Sequence, residues 1–295
     1  MFTRSPHGYQ ESYPYFYDPE SVMHSSDADW FDSIDESRRE SQVRFERAGQ
    51  KLKVDRLLVP AMRRYGIPDN GNVLSIGCGM GFDVLRLKEI GYKAIGTDLG
   101  GRARFWKEIG LTGDDLFLAD ARDLPIKPES FHVAYLWHVI EHFGTIDGNQ
   151  NVATSKHATR MSIIEQIRTI LKPGGILVIG TPNRLFPLDQ YHGAHSCLPK
   201  RLYEFGQRRG IGIQFPFSRK NFLLSRRELV QLLKRYSAVE WLPAGIGLSL
   251  EEGEFLKSSS LRSMSKFITS YIKIIDSIGF GASPLSPALH VIARK

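Results

Sequence analysis

Between Trp137 and His142 the chain reads WHVIEH, which sets two imidazoles and a carboxylate within five consecutive positions. An imidazole titrates near neutrality and can take a proton from a hydroxyl at physiological pH. If a helix begins here, His138 and His142 lie four apart on one face, with Glu141 beside them. A second kind of chemistry is written at Asn72–Asp83, NVLSIGCGMGFD. Val73, Leu74 and Ile76 form a short apolar run of buried-strand type, and Gly77, Gly79 and Gly81 follow at alternate positions. A strand that breaks into such a turn brings bare backbone close to a ligand. The dinucleotide fingerprint requires G-x-G-x-x-G, and here the third glycine arrives one residue early. Asp98 ends a further short apolar run, about 20 residues on, where a carboxylate can accept both hydroxyls of a ribose.

Taken in order with Asp120, Leu124-Pro125 and the LKPGGILVIGTPN segment, Leu171–Asn183, these features span roughly residues 71–183. The set resembles the class I S-adenosylmethionine (SAM)-dependent methyltransferases. That resemblance implies that Asp98 binds the cofactor ribose, Asp120 with the Ala121 amide binds the adenine, and Gly77–Gly81 meet the methionine end. It also places Ser75, Cys78, Leu99 and Trp137 among the cofactor contacts. One position departs from the family pattern. An acid is usual two residues before the first glycine, and Ser75 stands there, so a neighbouring carboxylate such as Asp83 is expected to share its work.

By the same resemblance the segment after the fourth strand lies beside the transferred methyl group. Methyl transfer from a sulfonium is an in-line displacement. The acceptor must sit about 3 Å from the methyl carbon, and a hydroxyl acceptor needs a base. His142, Glu141, His138 and His192 are the candidate catalytic residues, with His142 as the expected base. The cluster is also similar to the Glu-x-x-Glu-His element that binds a divalent metal in ubiquinone-pathway catechol methyltransferases and small-RNA 2′-O-methyltransferases. His138 replaces the first Glu of that element, and His192 or His195 would have to complete it. We therefore expect no metal.

The stretch TPNRLFPLDQYHG, with LP and NFLLSRREL downstream, resembles a bacterial subgroup of type-11 methyltransferases. It implies a small-molecule, glycan or lipid-linked acceptor, methylated on oxygen. The alternatives are a metal-dependent RNA 2′-O-methyltransferase-like enzyme and a SAM-binding scaffold without turnover.

Composition sets the bounds. The chain has 295 residues, 42% apolar and 24% charged, ordinary for a soluble α/β domain with additions. Two cysteines, Cys78 and Cys197, do not make a disulfide framework. The amino terminus shows no signal pattern, and no run approaches 18 apolar residues, so a cytoplasmic protein is expected. Residues 1–40 carry nine Asp/Glu against three Arg, although the whole chain has a net charge of +7. Basic side chains concentrate at 200–234, but they alternate with apolar ones at helical spacing and no RNA-binding module flanks them. Nucleic acid is therefore not expected as the acceptor. Nothing in the sequence fixes an oligomeric state.

The elements that must position these residues follow from periodicity. Alternating strands and helices from about residue 67 predict a doubly wound, mostly parallel, seven-stranded sheet of Rossmann-like methyltransferase type. Its strands are expected near 72–76, 91–100, 116–126, 130–143 and 171–183, with ALHVIARK as a closing edge strand. Residues 1–30 read as extended or partly disordered, and 31–66 as a helical cap broken near Ala48–Lys51. The domain, 67–295, carries insertions at 184–218 and 251–287, expected to form an acceptor pocket and lid. Ser225 with Glu228 predicts a capping box. Residues 261–278 predict an amphipathic helix that could roof a pocket or rest on a membrane surface.

Overall fold

The computed structural model describes residues 36–99, 102, 104–145, 153–186, 188–189, 212–213, 223–247 and 269–295. The expectations for residues 1–35, His192, His195, and most of both insertions lie outside the described residues.

In chain order the elements are α1 (Glu36–Lys53), a π-helical turn (Val54–Leu58), α2 (Val59–Arg64), β1 (Asn72–Ile76), α3 (Phe82–Glu89), β2 (Lys93–Asp98), α4 (Arg104–Glu108) and β3 (Leu116–Leu118). Then come β4 (Phe131–Trp137), a 3-10 turn (Ile140–His142), α5 (Lys156–Ile170), β5 (Leu171–Pro182), and the short strands β6 (Leu188–Asp189) and β7 (Gly212–Ile213). The remainder is α6 (Arg226–Leu232), β8 (Ala238–Leu242), a 3-10 turn (Ala244–Gly247), helix α7 over residues 269–277, and β9 (Ala288–Arg294).

The main sheet has seven strands in the order β3-β2-β1-β4-β5-β9-β8. Strands β1 to β5 are parallel, and β9 runs antiparallel to both of its neighbours. Winding reverses between β1 and β4, so a crevice opens at the carboxyl ends of those two strands, where open α/β sheets bind ligands. Successive side chains point to opposite faces, and each face is covered. On one, Leu74, Ile76, Leu136, Ile179 and Val291 pack against α5 and α6 through Ile163, Ile167 and Leu229. On the other, Val73, Val133, Tyr135, Val178 and Ile292 pack against the π-helical turn, α2 and α3 through Leu57, Met62 and Leu87. Burial on both faces explains why these strands read as continuous apolar runs rather than alternating ones.

Several local expectations are corrected. ALHVIARK is not the edge: β9 is buried at every position except Arg294, and the edge is β8, with Ala238 and Val239 exposed. The helical cap has no break at Ala48–Lys51. Helix α1 continues to Lys53 and then widens, Val59 N donating to Val54 O across five residues. The third strand stops at Leu118, and the fourth at Trp137. The capping box forms as expected, Ser225 Oγ accepting from Glu228 N at 3.4 Å and Glu228 Oε2 from Ser225 N at 2.8 Å.

Candidate functional site

The glycine turn closes β1 at the crevice. Gly77, Gly79 and Gly81 have φ of 71°, 57° and 81°, a region glycine enters without steric cost. A Cβ at Gly77 would overlap the Val139 side chain, and one at Gly79 would lie 2.9 Å from Glu46 Oε1. The turn is held by the acid that ends β2. Asp98 Oδ2 accepts from Gly79 N at 2.7 Å, and Asp98 Oδ1 from Leu99 N at 2.7 Å. Trp106 Nε1 donates to Gly79 O at 2.8 Å. A carboxylate, a bare-backbone turn and a switch-point crevice thus coincide, which fits a nucleoside-bearing ligand.

Ser75, buried at the end of β1, donates from Oγ to Asp83 Oδ2 at 2.5 Å. The hydroxyl does not replace the usual acid but orients one from α3. Asp83 is 2% exposed, and burial, opposed chiefly by the Ser75 bond, pushes its pKa up to about 6. Cys78 is a buried free thiol; burial, Asp98 and Asp83 push its pKa up, so it stays protonated and serves packing. Asp120 follows β3, with Oδ1 accepting from Arg122 N at 2.7 Å and Oδ2 from Arg122 Nε at 2.8 Å. Ala121 is buried beside it.

Helix α1 brings residues that motif reading missed. Glu46 Oε2 pairs with Arg102 Nη1 at 2.6 Å, Glu46 Oε1 accepts from Gln50 Nε2 at 3.0 Å, and Gln50 Oε1 accepts from Asp83 N at 2.9 Å. Glu46, Gln50 and Lys53 fall at i, i+4 and i+7. A polar stripe at that spacing on a helix expected to cover the sheet was the available signal.

At the carboxyl edge, Trp137, Gly180 and His290 lie side by side across β4, β5 and β9. A Cβ on Gly180 would stand 2.5 Å from Trp137 Cε3, so its absence lets the Trp137 and His290 rings stack, centroids 4.7 Å apart at 20°. Gly180→Ala should therefore displace Trp137 and lower stability by about 1–3 kcal/mol, measurable by urea unfolding.

His290 lies on β9, outside the sequence motifs. Its Nδ1 lies 3.2 Å from Pro243 O, and because a carbonyl only accepts, Nδ1 carries the proton. Burial, with His138 and Lys53 nearby, pushes its pKa down to about 4. A depressed histidine contributes stability that is complete above its ordinary value of 6.5 and is lost as pH falls through about 4. That share is about 3 kcal/mol. His290→Gln should remove it, so urea unfolding at pH 7 and pH 4 should show a smaller acid loss in the variant.

The segment after β4 is not an α-helix. His138 has φ 55°, its N donates to Gly180 O at 2.8 Å, and only Ile140–His142 form a 3-10 turn. His138 therefore precedes the turn that contains His142, and the two do not share an α-helical face. Glu141 is fully buried, with Oε2 accepting from Thr181 Oγ1 at 3.0 Å and Oε1 lying 3.7 Å from His138 Nδ1. Arg160, 2% exposed, fixes the segment by donating from Nη2 to Glu141 O at 2.6 Å and from Nε to Phe143 O at 2.9 Å. His142 is half-buried, and its carbonyl accepts from Thr145 Oγ1 at 2.7 Å. Among the described residues, no group of three or more His, Cys, Asp and Glu side chains is placed to hold a metal ion. A groove lined by Asp55, Arg63, Arg86 and Tyr92 lies towards the amino ends of β1 and β2, away from this chemistry.

The family described as "Methyltransferase domain" matches residues 45–237. Among solved structures, an S-adenosylmethionine-dependent methyltransferase from Mesorhizobium loti is 19% identical, with 80% of this chain and 96% of that chain covered and a TM-score of 0.45. The CurJ carbon methyltransferase is 16% identical, covering 83% and 53%, with a TM-score of 0.45. Phosphoethanolamine N-methyltransferase 2 from Haemonchus contortus, in complex with S-adenosyl-L-methionine, is 18% identical, covering 80% and 51%, with a TM-score of 0.43. None of the curated proteins searched matches.

Proposed function

The chain belongs to the methyltransferase-domain family, and on that premise we propose that it methylates a hydroxyl oxygen of a small-molecule, glycan or lipid-linked acceptor. Its cofactor is S-adenosyl-L-methionine, which supplies an electrophilic methyl group on a sulfonium when bound. Asp98 holds the ribose, and the glycine turn meets the methionine end. Asp120 and Ala121 flank the adenine position, and Trp137 borders the methyl end with Leu99 on the ribose side.

The observation that carries the oxygen reading is the pair formed by His138 and the buried Glu141 carboxylate, 3.7 Å apart at the carboxyl end of β4. Glu141, itself held by Thr181, is placed to keep the proton on His138 Nδ1. Nε2 is then the lone-pair nitrogen that takes the acceptor's hydroxyl proton. At 3.7 Å the two atoms are in electrostatic contact short of hydrogen-bond distance, and catalytic contacts of this kind often tighten only when substrate arrives. The sequence favours His142 as the base. The buried carboxylate partner moves our assignment to His138 and leaves His142 to shape the pocket.

The insertions would build the acceptor pocket. In the described part, Ile272 and Ile275 of α7 pack on Ala244, while Ile274, Ile278, Phe280 and Leu285 are exposed. That apolar face supports an acceptor with apolar area, and it is our candidate for peripheral membrane contact. Replacing Ile274 and Ile278 together with Ser should leave S-adenosylhomocysteine affinity unchanged and raise KM for the acceptor. Among the described residues, no helix is long and apolar enough to cross a membrane. The buried free thiol of Cys78 suits a reducing compartment, and we place the protein in the cytoplasm.

The deciding experiment is incubation with tritiated SAM and fractionated cell extract, followed by identification of the labelled product. A methyl ether on a small molecule, glycan or lipid is expected. Label on nitrogen or carbon would overturn the oxygen assignment. Label in RNA with binding that falls steeply with salt would favour the RNA reading, and SAM binding without label in any fraction would favour a scaffold.

A further inference from the structure

Lys53 sets a positive charge beside the glycine turn and Trp137. It closes α1, and the π-helical turn begins at the next residue. Lys53 keeps an α-helical backbone, φ −62° and ψ −43°, and π-turns recur at functional sites. The Lys53 ammonium lies 5.1 Å from the centroid of the Trp137 ring, on the crevice side of β4. Among the described residues its Nζ makes no hydrogen bond and no ion pair, although its charge is felt by Glu46 and Asp83. Across from it, the Asp83 carboxylate accepts only from Ser75 Oγ and its own helix at Val84 N. Gln50, three residues before Lys53 on α1, accepts from Asp83 N at 2.9 Å, so the cation and the acid are neighbours beside the glycine turn, and they form no ion pair.

We propose that Lys53 and Asp83 together form the receptor for the α-amino acid end of S-adenosylmethionine, Lys53 taking its carboxylate and the Ser75-held Asp83 its ammonium. This rests on the cofactor reading given above. Burying a charge without a partner is costly, and two neighbouring opposite charges that form no ion pair are compensated by a zwitterion that pairs with both. Both groups are displaced toward their neutral forms, Lys53 down to about 8 and Asp83 up to about 6, chiefly by burial. The arrangement also accounts for Ser75. With a hydroxyl at the strand end, the acid comes from α3 and is aimed by that hydroxyl. Because Lys53 belongs to α1, the same contact ties the cap helix to the bound cofactor, alongside the Glu46–Arg102 and Gln50–Asp83 links.

The test compares two ligands by calorimetry. S-adenosylhomocysteine carries the amino acid end, and 5′-methylthioadenosine has the same nucleoside and sulfur without it. Lys53→Met should weaken S-adenosylhomocysteine about 10–100-fold and leave methylthioadenosine unchanged, and Lys53→Arg should restore part of the loss. Asp83→Asn should show the same selectivity. Thermal unfolding of each variant, expected to be no lower than wild type once an uncompensated charge is removed, separates binding from folding. If Lys53→Met weakens both ligands alike, or neither, the proposal is overturned alone. Wild-type protein that binds neither ligand overturns the cofactor reading and this proposal with it.

Discussion

Asp98→Ala should weaken S-adenosylhomocysteine binding by about 10²–10⁴-fold, the combined loss of two hydrogen bonds to a charged acceptor at about 1.5–3 kcal/mol each. The residue has two tasks, which makes this among the largest expected effects. It ends β2 where ribose hydroxyls can reach it, and it also receives the Gly79 and Leu99 amides that shape the turn. Asp98→Asn keeps the size and one acceptor oxygen, so it should fall between wild type and Ala. Calorimetry reads both variants directly, without an acceptor. Affinity unchanged in Asp98→Ala would reject the ribose role.

His138→Ala should lower turnover by about 10²–10⁴-fold while S-adenosylhomocysteine affinity stays within a few-fold of wild type. Glu141→Gln keeps the shape but can no longer hold a proton on His138 Nδ1 by charge, and should lower turnover in the same direction. His142→Ala is expected to matter less. If instead His142→Ala abolishes turnover and His138→Ala is tolerated, the base is the residue favoured by the motif, and Glu141 serves packing. Chelator sets a third outcome. Activity that disappears with chelator and returns with added divalent metal would make the cluster a Lewis-acid site rather than a base.

Much of this was readable before the structure because it is local. The G-x-G-x-G turn, the acid about 20 residues beyond it and the Ser225–Glu228 capping box are each set by short-range chemistry, and they fold as read. The parallel strands were legible because burial on both faces leaves continuous apolar runs. The same reasoning, applied strictly, would have placed β9 inside the sheet, since ALHVIA is such a run. A place at the end of the sequence does not by itself distinguish an edge strand from one inserted between two others. The true edge, AVEWL, is half exposed and lacks that signature. Long-range facts were not legible. Nothing local to Ser75 says that Asp83 turns back towards it, and nothing in WHVIEH announces a left-handed backbone at His138, a conformation rare for any residue but glycine. The pairing of His290 with Trp137 needed the register of three strands.

The position of β9 has a consequence for how the molecule comes into being. It is latest in sequence among the nine strands described, yet it lies between β5 and β8. As the polypeptide leaves the ribosome, β5 emerges more than a hundred residues ahead of the strand that covers its outer margin, and β8 has no sheet to join until then. An uncovered β5 is a template for pairing with other chains. The late strand also carries His290, so the Trp137 side of the crevice is finished in the same event that seals the sheet. Stalled or prematurely terminated translation products should therefore be prone to aggregation, and they should lack the ring that stacks on Trp137.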